Sequence, residues 1–268
     1  MGFWKDIGRG FSSHVDAIPF IFKNGLWVYF IYPILIGIFL FVVGLVSFFA
    51  VKEIIVDWAM DLMGLNDGGL DDLLGGWIKP IIAFVVGLVV KLVLFFVFNA
   101  IYKYIILIIL SPVLALLSER VEEIKYGVKF PFEFNQFVKD VLRGILITIR
   151  NMFIEYGIIL LCLLVIWIPV VGWIISILLY ILSAYFVGFS MMDYTSERRR
   201  LKISQSVSFV RRRKGIAISN GFIFNILLLI PFIGISIGPV ISVVAATLAA
   251  TEAFDEEHQA RQQQQRPV

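Results

Sequence analysis

Apolar and polar positions fall along this chain in long blocks rather than in short alternations. Residues 26–50, "LWVYFIYPILIGIFLFVVGLVSFFA", carry no charge over 25 positions. At about 1.5 Å per residue such a run outreaches about 30 Å of hydrocarbon. It predicts a transmembrane helix. A second run from Trp77 to about Leu117 is interrupted only by Lys79, Lys91, Asn99 and Lys103. It predicts a crossing over 77–117 that continues past the interface and bends at Ser111-Pro112.

Two later blocks, 151–190 and 215–252, share a motif. "WIPVVGW" stands at 167–173 and "LIPFIGI" at 229–235, so that Pro169 and Gly172 recur 62 residues later as Pro231 and Gly234. Arg150 with Arg212 and Asp193 with Asp255 keep the same offset. This spread of matches reads as an internal duplication, each copy a basic segment, an apolar helix, the Pro-Gly turn and a second apolar helix. In the second copy only 11 residues run from Asn220 to Ile230. They make about 16 Å of helix, well short of a crossing. In the first copy the arms are longer, and Trp167 and Trp173 suit a far interface.

The fold class that follows is an all-α integral membrane protein with two long transmembrane helices and two re-entrant hairpins tipped by Pro169/Gly172 and Pro231/Gly234. A six-helix transmembrane bundle is the alternative, because both arrangements leave the termini on one side. Irregular backbone at membrane depth must be covered by protein or water, so the hairpins predict a homo-oligomer.

Residues 1–252 read as one membrane domain. Within it, 1–24 carries Phe3, Ile7, Phe11, Val15, Ile18 and Phe22 at spacings of three and four. That periodicity predicts an amphipathic helix lying along the membrane surface. Lys5, Asp6, Arg9, Asp16 and Lys23 interrupt any secretory-type apolar core, so the segment is expected to be retained. Residues 253–268 read as a polar, disordered cytoplasmic tail.

Composition agrees with the blocks. Of 268 residues 60% are hydrophobic and 16% charged, with mean hydropathy +0.92; no water-soluble core can absorb that apolar surface. The lipid bilayer is the solvent. Charge then sets orientation. The 51–79 loop holds Glu53, Asp57, Asp61, Asp67, Asp71 and Asp72 against Lys52 and Lys79, while the later connections collect Arg120, Lys125, Arg143, Arg198–Arg200 and Arg211–Lys214. The positive-inside rule puts both termini in the cytoplasm and 51–79 outside.

Enzymatic chemistry finds no constellation. His14 and His258 lie in terminal segments, Cys162 is a lone thiol in an apolar run, and no phosphate loop, carboxylate pair or metal spacing occurs in the apolar blocks. No cofactor, metal or nucleic acid partner is expected. Lys91 and Asn99, with Phe95 and Tyr102 on the same helical stripe, are candidates to line a pore, as is Asn225 before the second turn. Small polar residues in such helices also bind helices to one another, and a lysine near the interface can snorkel.

Taken together, "GLWVYFIYPILIG", "SPVLALLSERVEE", "IPVVG", "MDYTSERRRLKISQSVSFVRRRKG" and "IPFIGISIGPVISVVAAT", in that order, resemble the CysZ family of bacterial inner-membrane sulfate permeases, within the wider group related to the etoposide-induced membrane protein. The resemblance covers most of residues 10–252. It implies transport of sulfate or another small inorganic anion, two long crossing helices and two hemi-penetrating hairpins. It also implies an anion contact at a Gly-Leu-Arg-Arg turn that opens the first long helix. Here the turn reads Gly25-Leu26-Trp27-Val28, so an anion site at this place rests on Lys23 and the backbone N–H groups of Gly25, Leu26, Trp27 and Val28. The same residues can instead be a helix cap and interfacial anchor. A non-transporting assembly or envelope protein of the membrane is the alternative function.

Overall fold

The computed structural model describes residues 2–62, 78–129, 131, 133–230 and 233–264. The described residues are helical, with no strand among them. Helix α1 (Phe3–Lys23) leads through a 3-10 turn (Leu26–Phe30) into α2 (Ile31–Leu62). There follow α3 (Ile78–Tyr126), α4 (Phe134–Leu163), α5 (Val171–Arg198), α6 (Ile203–Arg212), α7 (Lys214–Leu228) and α8 (Ile233–Gln264). The centre of the acidic loop, Pro231 and the last four residues lie outside the described residues.

Among the described residues, five stretches are long and apolar enough to cross a membrane: Leu26–Val51, Lys103–Tyr126, Phe134–Leu163, Val171–Arg198 and Ser236–Gln263. Helix α3 passes Pro112 without interruption. The first hairpin exceeds its expected bounds of 151–190, since its arms are 30 and 28 residues long. Basic and apolar residues from Phe134 onward simply continue one helix. Helix α7, by contrast, has 15 residues, short of the roughly 20 that a crossing needs.

The chain divides into two compact units, Met1–Ile36 with Ile106–Val268, and Gly37–Ile105. In the second unit nearly every described side chain of α2 from Ile38 to Val51 is exposed, Phe39, Val42 and Val46 among them. An apolar surface of that extent is stable only against lipid or another protein.

The first unit exposes many bulky apolar residues, and its interior mixes large side chains such as Leu110, Leu114 and Phe224 with small and polar ones. Its interior contains Ala245, Ala246, Ala249 and Ala250 of α8 together with buried Ser242, Thr247 and Thr251. Association between helices in lipid rests on close packing and interhelical hydrogen bonds, and both are present. Where α5 meets α7, a Cβ on Gly188 would sit 1.9 Å from the Ala217 carbonyl oxygen, and one on Gly221 would sit 1.8 Å from that of Ala184. The two backbones cross on a reciprocal pair of Ala-x-x-x-Gly steps. Hydrogen bonds tie neighbouring helices: Ser118 to Thr247 at 2.8 Å, Asn151 to Ser190 at 3.0 Å, and Asn220 to the Ser242 carbonyl at 2.9 Å.

Two expectations are corrected here. Helix α1 has the predicted periodicity, but part of its polar side is packed against protein, while Lys5, Ser12 and Asp16 stay exposed. Asp6, Gly10, Ser13, His14 and Ala17 are buried against α7 and α8, while Trp4, Phe11, Val15 and Phe22 are exposed. Gly10 admits the Ser219 hydroxyl where a Cβ would stand 1.8 Å away. Small residues on the polar side let the helix dock, and docking removes that part from water. The supposed tail is the second correction. Helix α8 continues to Gln264, because the charges in its last turns find partners: Glu256 pairs with Lys5 at 3.0 Å and with Arg9, and Glu257 with Arg212 at 3.0 Å.

The repeated motif has a common geometry. Gly172 N–H donates to the Ile168 carbonyl at 2.8 Å and Gly234 N–H to the Ile230 carbonyl at 2.9 Å, the same pair 62 residues apart. A Cβ on Gly172 would lie 2.0 Å from the Ile166 oxygen, and one on Gly234 1.9 Å from that of Leu227. The chain must pass so close to its own carbonyls that only glycine fits.

Candidate functional site

Residues 23–30 form a sharp corner. Asn24 N–H and its side-chain amide both donate to the Phe20 carbonyl, at 3.2 and 2.8 Å, and Gly25 N–H reaches Phe22 at 3.4 Å. Gly25 then takes φ +70°, the left-handed conformation that glycine adopts at no steric cost. Lys23-Asn24-Gly25 therefore closes the end of α1 before it opens anything. Lys23 lies in the last turn of α1, where the carbonyl pole favours a cation. Leu26 is buried and anchors the corner, whereas Trp27 and Val28 are exposed. Arg120 of α3, which sequence reasoning did not assign, lies within electrostatic reach of Tyr29 in the same 3-10 turn. Its own partner is Glu123 at 2.5 Å.

Of the pore candidates, Lys91 and Asn99 belong to the second unit and Asn225 to the first. Lys91 is an exposed side chain of α3, and the Asn99 side chain lies outside the described residues. Asn225 donates to the Ser183 hydroxyl at 3.3 Å, bridging α7 to α5.

Much of the basic sequence is internal. Arg143 of α4 holds Asp193 of α5 through two nitrogens at 3.2 Å and also donates to the Leu201 carbonyl; Ser206 donates to the same carboxylate. Asp193 is thus the buried member of a charge pair, with Arg143 as partner. Arg198 spans α5 to α3, pairing with Glu122 at 3.4 Å and donating to Ser118 and the Ala115 carbonyl. Arg213 is only 1% exposed and meets Asp6 at 3.2 Å, Glu256 and Glu257 at 3.3 Å and the Ala253 carbonyl at 3.2 Å. The signal for this knot was present in Lys5, Asp6 and Arg9, which sit opposite the apolar stripe of α1. No residue spacing identifies Arg213 rather than its neighbours as the buried one.

His14 adds a titratable group to this interior. Its Nδ1 bonds the Gly10 carbonyl at 2.8 Å, and Nε2 is buried without a partner. Burial lowers its pKa, outweighing the bond to Gly10. A histidine held neutral in the fold is protonated first in the unfolded chain. Stability is therefore complete above about pH 6.5 and falls as the pH drops below that value, by at most about 1.4 kcal/mol per pH unit. Thermal unfolding at pH 7.5 and pH 5.5 should show this loss on the acid side, and His14→Gln should flatten it. An unchanged slope in the variant would assign the acid sensitivity to other groups.

The family described as Sulfate transporter CysZ/Etoposide-induced protein 2.4 has a model that matches residues 14–239. No curated protein matches the chain.

Proposed function

The chain belongs to the sulfate transporter CysZ/etoposide-induced protein 2.4 family, and from that premise we propose that this multi-pass membrane protein carries a small inorganic anion, sulfate first, across the bacterial inner membrane. The observation that carries the proposal is the family match over most of the chain, 14–239. Both termini are then cytoplasmic, the 51–79 loop faces outward, the protein is a homo-oligomer, and Lys91 and Asn99 line the route.

In this reading the anion is met at the corner of residues 23–28. Backbone N–H groups and the Lys23 ammonium supply charge there, without the planar fork that matches an oxyanion. Arg120 is a guanidinium within electrostatic reach of the same turn. Uptake of labelled sulfate into proteoliposomes is the test. Protein-dependent flux, reduced by Lys23→Ala and by Arg120→Ala, is expected; no flux of any anion would sink the proposal. Trp27→Arg with Val28→Arg should strengthen sulfate binding by about 2 kcal/mol, at about 1 kcal/mol for each charge-assisted bond at a partly wet surface. Calorimetric titration giving one affinity for the parent, the double variant and Lys23→Ala would reduce the corner to a helix cap. A non-transporting assembly protein is the second reading, favoured by Trp27 and Val28 standing where the family's arginines are expected.

The Pro-Gly turns are re-entrant in this proposal, supported by the 15 residues of α7. A cysteine at Val171, in a Cys162→Ser background, should then resist a membrane-impermeant thiol reagent applied outside. Rapid external labelling would mean that the first hairpin crosses fully.

A further inference from the structure

A cavity of about 610 Å³ lies between the Arg199–Arg212 stretch and the last turns of α8. Small-molecule sites span about 300–1,000 Å³, so the space suits an organic ligand and far exceeds one inorganic oxyanion. Three guanidiniums line it, those of Arg199, Arg212 and Arg261.

The two carboxylates in the lining are already engaged. Asp255 accepts from the Tyr126 hydroxyl at 2.9 and 3.1 Å, and Glu257 takes Arg212 at 3.0 Å and the buried Arg213 at 3.3 Å. Arg199 has no carboxylate partner among the described residues. Its Nη2 reaches Tyr126 at 3.3 Å, and its Nε is buried without an acceptor. Its guanidinium lies 4.3 Å from the centroid of the Phe254 ring, which stacks on Phe209 at 3.7 Å. The cavity therefore has two ends. At one, an unpaired planar cation rests on an aromatic pair beside Leu201. At the other, Arg212 is held by Glu257 at 3.0 Å and donates to the Ser208 hydroxyl at 2.8 Å, while Arg261, 72% exposed and 4.0 Å from Glu257, keeps its guanidinium open to a bidentate acceptor.

We propose that this cavity binds a nucleotide-type ligand, a phosphorylated organic anion bearing a planar ring. The phosphates meet Arg261, whose planar fork matches phosphate oxygens. The ring lies against Arg199 and the apolar lining, where stacking on a guanidinium is favourable. Neither contact depends on the transport reading, and the site stands or falls without it.

Titration calorimetry on the full chain in lipid nanodiscs tests the proposal with ATP, inorganic tripolyphosphate and adenosine as probes. ATP should bind at least about tenfold more tightly than either fragment, and Arg199→Ala and Arg261→Ala should each weaken it about tenfold, the equivalent of one charge-assisted bond. Arg261 is exposed, so its replacement leaves the fold intact. Arg199→Lys keeps the charge and loses the planar face, and should weaken ATP more than tripolyphosphate. No heat with ATP, equal affinity for tripolyphosphate and ATP, or unchanged ATP affinity in Arg261→Ala would each overturn the assignment.

Discussion

Arg213→Ala is expected to destabilise the protein by about 3 to 5 kcal/mol, the range for removing one partner of a buried ion pair. The side chain is 1% exposed and gathers three carboxylates, but they do not suffer equally. Glu256 retains Lys5 and Arg9, and Glu257 retains Arg212. Asp6 is itself buried and loses its only ion-pair partner among the described residues. Most of the loss should therefore come from one stranded carboxylate. Thermal unfolding in nanodiscs would measure it, and a double-mutant cycle with Asp6→Ala would locate it. The double variant should be clearly more stable than the sum of the single effects. A loss under about 1 kcal/mol in Arg213→Ala, the range of exposed pairs, would mean that the knot is wet.

Gly221→Ala should cost about 3 kcal/mol or more, against the sign of helix propensity. Alanine is favoured over glycine inside a helix by about 1 kcal/mol, and at Gly157, where an added Cβ meets nothing within 4 Å, the substitution should stabilise. At Gly221 the new methyl would lie 1.8 Å from a backbone oxygen that no side-chain rotation can move. Helices α5 and α7 would have to separate, at the upper end of what overpacking costs. Gly188→Ala should behave alike through the Ala217 carbonyl. Measuring all three variants together makes the contrast internal: stabilisation at Gly221 as at Gly157 would refute the close crossing.

The long apolar helices and the repeated turns could be read from the sequence because length, lack of charge and the Pro-Gly punctuation are one-dimensional signals. The glycines at 172 and 234 stand where the chain skirts its own carbonyl, so the pattern carried its own reason. The orientation of α1 could not be read in the same way. An apolar stripe says which two sides differ, but in a bilayer the apolar side goes outward and the small polar side inward, the reverse of a soluble helix. The end of α8 was obscure for a related reason: Glu256 and Glu257 look solvated until Arg9, Arg212 and Arg213 are brought beside them from distant parts of the chain. At the candidate anion site, Gly25 and Lys23 were legible as a corner. Arg120, some ninety positions away, was not.

The knot around Arg213 joins the beginning of the chain to its end, and this imposes an order on biosynthesis. Helix α1 leaves the ribosome before α7 and α8, yet the partners of Asp6 and Arg9 lie beyond residue 212. Until α7 and α8 emerge, its small polar side has nothing to dock on and must wait at the membrane surface, in the posture that its periodicity alone suggests. Closing so long a loop is slow, and a growing chain holds its domains incomplete meanwhile. Translation arrested before α8 would leave Lys5, Arg9 and Arg213 without their glutamates.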